Sequence, residues 1–405
     1  MDTCFRTARI LLPGAEVNMS KWAVVACDQY TSQPEYWQKV ESFVGDAPST
    51  LRLILPEAFL ENGAERIPEI HRTMKEYLCR GTVSPAVEDG FILVERETES
   101  GIRLGLVGAL DLESYDYRPE KNALVRATEK TVVERIPARM TIREGAPMEL
   151  PHVMVLVDDP GKTLIEEAYA RKEAFRLVYD TQLMLGGGHI RGYALEGKTA
   201  RCLQEKIAAA QESSDGFFLA VGDGNHSLAA AKACWEKKKE TLSRERRESD
   251  PGRFALVEMV NLHSDALEFE PVHRILFHTS LEALTGAFEK WLSSRKISYR
   301  EGEEILFFRG EERRGYTPEG LPVAVLQTFL DAYLLDHPDV SIDYIHGEDA
   351  VEELVKTMDG CGILLKPIEK GKLFPAIRAG GILPRKTFSM GNAWEKRYYL
   401  ECREI

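Results

Sequence analysis

Between two runs of apolar and small residues, Phe217–Val221 and Leu228–Trp235, the chain reads Gly222-Asp223-Gly224-Asn225-His226-Ser227. A glycine on either side of Asp223 lets the backbone turn sharply and come close to a ligand. A helix starting here would aim unpaired N–H groups and the positive end of its dipole at that spot, which favours an anion such as phosphate. Asp223 can then hold a divalent cation or accept a proton, and His226 can donate to a phosphoryl oxygen. The same residues also suit a plain strand-to-helix connection, with Asn225 or Ser227 as N-cap. The segment lacks the Gly-Lys-Ser/Thr ending of a Walker loop and the third glycine of a dinucleotide fingerprint, so neither of those nucleotide folds is expected.

Three further groups carry usable chemistry. Arg126, Glu129 and Thr131 are followed by Arg135, Arg139 and Arg143, a local cluster of cations in an acidic chain. Arginine forks pair well with phosphate oxygens, and a carboxylate among them can bind metal or activate a hydroxyl. The alternative is a surface loop whose arginines pair with Glu129, Glu134 and Glu144. The run Gly186-Gly187-Gly188-His189-Ile190-Arg191 is either a connector or a loop ordered by a ligand, since three glycines are costly to order. His273 and Arg274 after Pro271, Lys386 after Pro384, and Asp28 at the end of the first apolar run complete the candidates.

Elements that position these residues follow from the apolar spacing. Trp22–Cys27, Leu51–Leu55, Gly90–Val94, Leu104–Leu110, Val153–Val157 and Phe217–Val221 read as strands, several of them flanked by Gly, Pro or Asp. Helices are expected from Gln33 onward, over Leu164–Tyr179, over Thr199–Gln211 and from Leu228 to Trp235. Beyond Phe277 helices at 281–291, 326–335, 351–358 and 372–378 alternate with strands at 305–308, 342–345 and 362–365. The expected class is mixed α/β: a main lobe over 1–278 carrying the phosphate site, and a smaller α/β lobe over 279–405 whose last strand can return to the main lobe.

Composition bounds the partners. With 405 residues the chain exceeds the size at which one core stops growing. A formal charge of −13 repels nucleic-acid backbones, and no basic arm is present, so nucleic acid is not an expected partner. Seven scattered cysteines form no close pair and point to a reduced, cytoplasmic setting without a zinc signature. No haem or flavin signature is present either, and no apolar run is long enough to span a membrane.

Taken together the motifs resemble the family of "domain of unknown function 1015" proteins. Asp223-Gly-Asn-His226-Ser resembles that family's Asp-Gly-His-His-Arg motif, and Glu129-Lys-Thr131 resembles its His-Glu-x-Thr segment, with Glu134-Arg135 where an Asp-Arg pair stands. Pro271-Val-His273-Arg274 resembles Pro-Thr-His-Arg, and Pro384-Arg-Lys386-Thr387-Phe388 resembles Pro-x-Lys-Ser-Thr. The motifs run in order along nearly the whole chain. The Asp-Gly-His-His-Arg element is similar to the phosphate-binding element of the ParB/sulfiredoxin-like superfamily, which includes partition proteins, sulfiredoxins and free serine kinases.

The resemblance implies ParB/sulfiredoxin-like features in the main lobe and a site for a phosphate-bearing small molecule. Asp223, His226 and Glu129 would be the catalytic residues. Gly222, Gly224, Asn225, Ser227, Arg126, Thr131, Arg135, His189, Arg191, His273, Arg274 and Lys386 would hold phosphate or nucleotide. One expected activity is phosphoryl transfer from ATP, ADP or CTP with magnesium to a small hydroxylated metabolite, chemistry that depends on positioning and charge stabilisation. The alternative is nucleotide binding for regulation without transfer. A nuclease or partition role is disfavoured by the acidic charge. Asn225, Ser227 and Thr128 depart from the family's histidine, arginine and histidine, and the lost arginine removes a bidentate phosphate contact.

Overall fold

A computed structural model describes residues 3–26, 30, 33–59, 63–118, 121–131, 133–384 and 386–405. Cys27 and Asp28 lie outside these residues. The protein is mixed α/β, with Met1–Leu267 and Asn392–Ile405 forming one unit and Glu268–Gly391 the other.

The larger unit is organised by an 11-stranded mixed sheet. Along its main path run Arg176–Gln182, His189–Glu196, Val83–Thr98, Gly101–Asp111, Phe254–Asn261, Met154–Val157, Leu219–Asp223, Val125–Ala127 and Tyr115–Asp116. The first five pair antiparallel in succession, as expected for hairpins such as 83–98 with 101–111. Toward the other edge the pairing changes: Phe254–Asn261 lies parallel to Met154–Val157, and Leu219–Asp223 lies parallel to Val125–Ala127. The carboxyl ends of two adjacent parallel strands therefore carry the 128–131 loop and the glycine turn side by side. Ligands of α/β sheets commonly bind outside such ends.

Two cores cover the sheet. On one side Trp22, Trp37, Val40, Ile92, Val94, Val107, Tyr398 and Leu400 pack together. On the other, Leu93, Leu106, Val155, Val157, Leu203, Ile207, Leu219, Val221 and Trp235 do so. Residues adjacent in sequence, such as Ile92 and Leu93, fall in different cores because side chains alternate across a strand.

Three element assignments differ from the sequence expectation. Leu51–Leu55 is no strand: Ser49 caps a single 3-10 turn, Thr50–Arg52, by accepting from the Leu51 N–H. The expected helix over Leu164–Tyr179 is a short helix, Ile165–Tyr169, then a 3-10 turn and the strand Arg176–Gln182. Its pairing with His189–Glu196 supplies the ladder that helical periodicity could not reveal. Among the described residues of the run at 22–27 the strand is the two-residue Val24–Val25, paired with Tyr398–Tyr399 from the far end of the chain. Asn18, a favourable N-cap, instead starts a helix over Met19–Trp22.

In the smaller unit helices and strands alternate except at the hairpin of 299–309 with 312–318, whose second strand the sequence did not mark; the strand pairs are antiparallel, in the order 312–318, 299–309, 360–365, 269–277, 341–346. Helices Leu281–Arg295 and Pro322–Asp336 cover one face through Phe288, Leu292, Phe329 and Leu330. Glu348–Met358 covers the other through Val351 and Val355.

Candidate anion site at the glycine turn

Leu219, Ala220 and Val221 are wholly buried, so the strand is anchored before the turn begins. The pairing with Met154–Val157 slips between Val221 and Asp223, which leaves Gly222 as the extra residue of a bulge. Bulges re-aim the residues that follow them. Gly224 then adopts φ +80°, the left-handed conformation that L side chains resist, and a Cβ at this position would stand 3.0 Å from Val153 Cα and Cγ2. It is the N-cap of the helix Asn225–Lys239, whose start has no side-chain cap.

Asp223 serves the turn itself. Its Oδ1 accepts from the Gly224 N–H at 2.8 Å, and its Oδ2 pairs with Lys396 Nζ at 3.4 Å. The lysine offsets a negative charge that would otherwise repel an anion from the helix start. Asn225 and Thr131 each bury a side-chain oxygen for which no hydrogen-bond partner exists among the described residues. Thr128 donates to the Val221 carbonyl at 2.7 Å and ties the neighbouring loop to the turn strand. Glu129, in that loop, and His226, in the first helical turn, are half-buried.

Beside the helix start lies a cavity of about 160 Å³. Arg139, His152, Ser227 and Tyr399 are among its polar lining residues, and Leu53, Ile54, Met74 and Ile142 among its apolar ones. Ser227 Oγ and His152 Nε2 are 2.7 Å apart, and the Tyr399 ring meets the imidazole edge-on with centroids 5.1 Å apart. Burial pushes the His152 imidazole down to about 4; Asp223 opposes the shift and Arg139 and Arg397 reinforce it. Burial also raises the Tyr399 phenol. Both groups are therefore neutral at neutral pH. Arg143 and Glu149 also line the cavity; burial favours protonation of Glu149, but Arg143 and Arg403 hold it below the usual carboxylate range.

The other residues singled out in the sequence divide clearly. Arg126 is engaged at the amino-terminal end of the strand pair, where its Nε donates to the Ala123 carbonyl and its guanidinium lies over the Phe217 ring. Arg135 ends the 3-10 turn Val133–Arg135, which leads into the helix Ile136–Arg143. His189 pairs with Asp180 at 2.8 Å, and Arg191 pairs with Asp180 and Glu95, on a strand separated from the turn strand by four others. His273, Arg274 and Lys386 belong to the smaller unit. There His273 is a core residue whose Nδ1 accepts from the Leu365 N–H, and the buried Arg274 donates to Gln327 and to the Lys386 carbonyl.

Sequence reading missed His152, Lys396 and Arg397 as members of this neighbourhood. Arg397 is buried between Glu258 and Glu401 and donates to the Pro151 carbonyl, next to His152. Burial alone would lower its pKa, but Glu401 and Glu258 hold it above its ordinary value. Nothing in the pattern around 392–399 marks a segment whose Lys396 and Arg397 are buried and whose Tyr398 joins a core. Among the described residues no group of three or more His, Cys, Asp or Glu is placed to hold a metal, and no helix is long and apolar enough to cross a membrane.

Two buried histidines make stability depend on pH. Burial lowers His273 to about 4, with Arg274 and His346 adding to the effect, and His152 is lowered to about the same value. Between the ordinary imidazole value and about 4 the unfolded chain binds protons that the folded chain does not, so stability rises with pH through that window. It is fully present above about pH 6.5 and lost on acidification toward pH 4. Thermal melts between pH 7 and 4 should show this slope, reduced in His273→Asn, whose amide oxygen accepts without titrating. A slope unchanged by that substitution would remove His273 as a cause.

A model of the family described as "Protein of unknown function (DUF1015)" matches residues 11–333, and the chain belongs to that family. No curated protein matches the sequence. Among solved structures, a free serine kinase in complex with AMP is similar at 10% identity, with 72% of this chain and 90% of that chain covered and a TM-score of 0.40. A conserved hypothetical protein from Pyrococcus furiosus is similar at 8% identity over 72% and 92% of the two chains, with a TM-score of 0.36. SbnI with a C-terminal truncation, from Staphylococcus aureus, is similar at 9% identity over 72% and 85%, with a TM-score of 0.36.

Proposed function

We propose that the glycine turn and its cavity bind the phosphate of a small molecule, a nucleotide by class, and that the protein transfers a phosphoryl group to a small hydroxylated metabolite. The observation that carries the reading is the convergence of an uncapped helix start, Arg139 and Ser227 around one cavity. A helix start without a side-chain cap supplies N–H donors and a favourable field for an anion. Arg139 adds a fixed positive charge and Ser227 a hydroxyl, and the apolar lining residues lower the local dielectric and so strengthen both.

Magnesium would come with the phosphates of the nucleotide, the usual way such sites hold it. The carboxyl oxygens of Asp223 are committed to Gly224 and Lys396, so the turn does not by itself form a metal cage. The departures at Asn225 and Ser227 from the family's histidine and arginine favour a second reading, binding without transfer. Donor turnover in the presence of pooled hydroxy compounds separates the two.

Calorimetric titration of the protein with ATP, ADP, CTP and inorganic phosphate tests the site. Saturable binding is expected, weakened about 10- to 100-fold in Arg139→Ala and in His226→Ala, the range for losing one hydrogen bond to a charged group. Binding equal to the parent in both folded variants would reassign the turn to a structural role.

A further inference from the structure

The geometry points to Ser227 as a covalent phosphoryl acceptor, with His152 as its base. This inference rests on the phosphate-binding reading above and adds a step to it. The pair meets what an activated hydroxyl needs: a base within hydrogen-bonding reach and access to a site. Ser227 Oγ lies 2.7 Å from His152 Nε2, and both side chains line the cavity. Tyr399 abuts the imidazole and helps fix its orientation. In the tautomer carrying its proton on Nδ1, the imidazole accepts from the hydroxyl, and burial keeps it unprotonated.

Ser227 also belongs to the first turn of the 15-residue helix, so charge developing on a phosphoryl group beside its Oγ meets the positive end of the helix. Arg139 lines the same cavity. At about 160 Å³ the cavity is smaller than the ~300 Å³ at which drug-sized ligands are usually enclosed. A serine relay lets a donor phosphate and an acceptor molecule use such a cavity in turn.

In the first half-reaction Ser227 Oγ forms a bond to the terminal phosphorus of a phosphoanhydride. The bond from that phosphorus to the leaving oxygen breaks, and the Ser227 proton passes to His152 Nε2 and on to the leaving group. In the second, the acceptor hydroxyl attacks phosphorus and the Ser227 oxygen–phosphorus bond breaks. The acceptor's proton passes through His152 to Ser227 Oγ. The sum is transfer of one phosphoryl group from the anhydride to the acceptor hydroxyl, with the protein restored.

Incubating the full chain with ATP and magnesium, or with acetyl phosphate and magnesium, and measuring intact mass tests the relay. The expected result is an increment of one phosphoryl group, mapped to the peptide containing Ser227, absent in Ser227→Ala and retained in Ser227→Thr. In His152→Gln the increment should form about 100-fold more slowly, within the range for loss of a general base. Donor binding by calorimetry without any increment in the parent protein would overturn the relay and leave the binding reading standing. An increment that persists in Ser227→Ala, or that forms at the parent rate in His152→Gln, would also overturn it. Absence of both binding and increment would overturn both readings.

Discussion

Replacing Arg397 with methionine is expected to lower the unfolding free energy by about 3–5 kcal/mol, the range for breaking a buried ion pair by removing one partner. Arg397 is almost wholly enclosed, as are both of its carboxylate partners, Glu258 and Glu401. Glu401 also accepts from the Tyr179 hydroxyl at 2.6 Å, and Glu258 already buries one oxygen with no hydrogen-bond partner among the described residues. Removing the guanidinium would leave two buried carboxylates without their principal counter-charge. Each would take up a proton or draw in water, and either response costs stability.

Urea unfolding of the parent and Arg397→Met measures the loss. A difference below about 1 kcal/mol, the level of exposed ion pairs, would show that the cluster is solvated and does not anchor the C-terminal segment. A triple variant, Arg397→Met with Glu258→Gln and Glu401→Gln, should recover much of the loss, because the penalty lies in unpaired charge more than in missing contacts. The parent cluster also bears on the site. Arg397 neighbours Lys396, which pairs with Asp223, so the single variant should weaken phosphate binding along with stability.

The second large effect is expected at Gly224. Alanine there must hold φ +80° and place its Cβ 3.0 Å from a backbone atom of Val153, so the strand or the helix start has to move. The left-handed conformation alone costs roughly 1–2 kcal/mol for an L-residue. Gly216 provides the control, since it has φ +75° and nothing within 4 Å of an added Cβ. Gly216→Ala should therefore show the conformational term by itself, and Gly224→Ala a larger loss in the same unfolding assay.

Displacing the helix start would also misalign Ser227 from the cavity. Phosphate affinity in Gly224→Ala should fall about tenfold or more, and each tenfold corresponds to ~1.4 kcal/mol. Equal stability losses at the two glycines, with parent-like phosphate binding, would show that close approach to Val153 is not what the turn requires.

By itself the sequence determined the local pieces of the candidate site. The apolar run Phe217–Val221, the paired glycines and the alanine-rich stretch after them specify a strand, a turn and a helix, because propensity and backbone freedom act over a few residues. Most of the alternation of helices and strands beyond residue 277 was legible for the same reason, the strand Glu312–Pro318 excepted. The Leu164–Tyr179 stretch was misread because its helical spacing was local, whereas its last residues, Arg176–Tyr179, begin a strand held by a ladder to 189–196.

Only the tertiary structure decided what surrounds the turn. Parallel pairing of Val125–Ala127 with Leu219–Val221 sets Glu129 and Thr131 beside it, and the same pairing leaves Arg126 at the opposite end. His152 reaches Ser227 from the edge of an antiparallel neighbour, and Lys396 reaches Asp223 from the last residues of the chain. These partners lack a local signature, since a buried charge or imidazole is placed by its burial and by the groups that offset its cost. The motif thus marked where an anion can bind, while packing selected which base, cation and hydroxyl stand beside it.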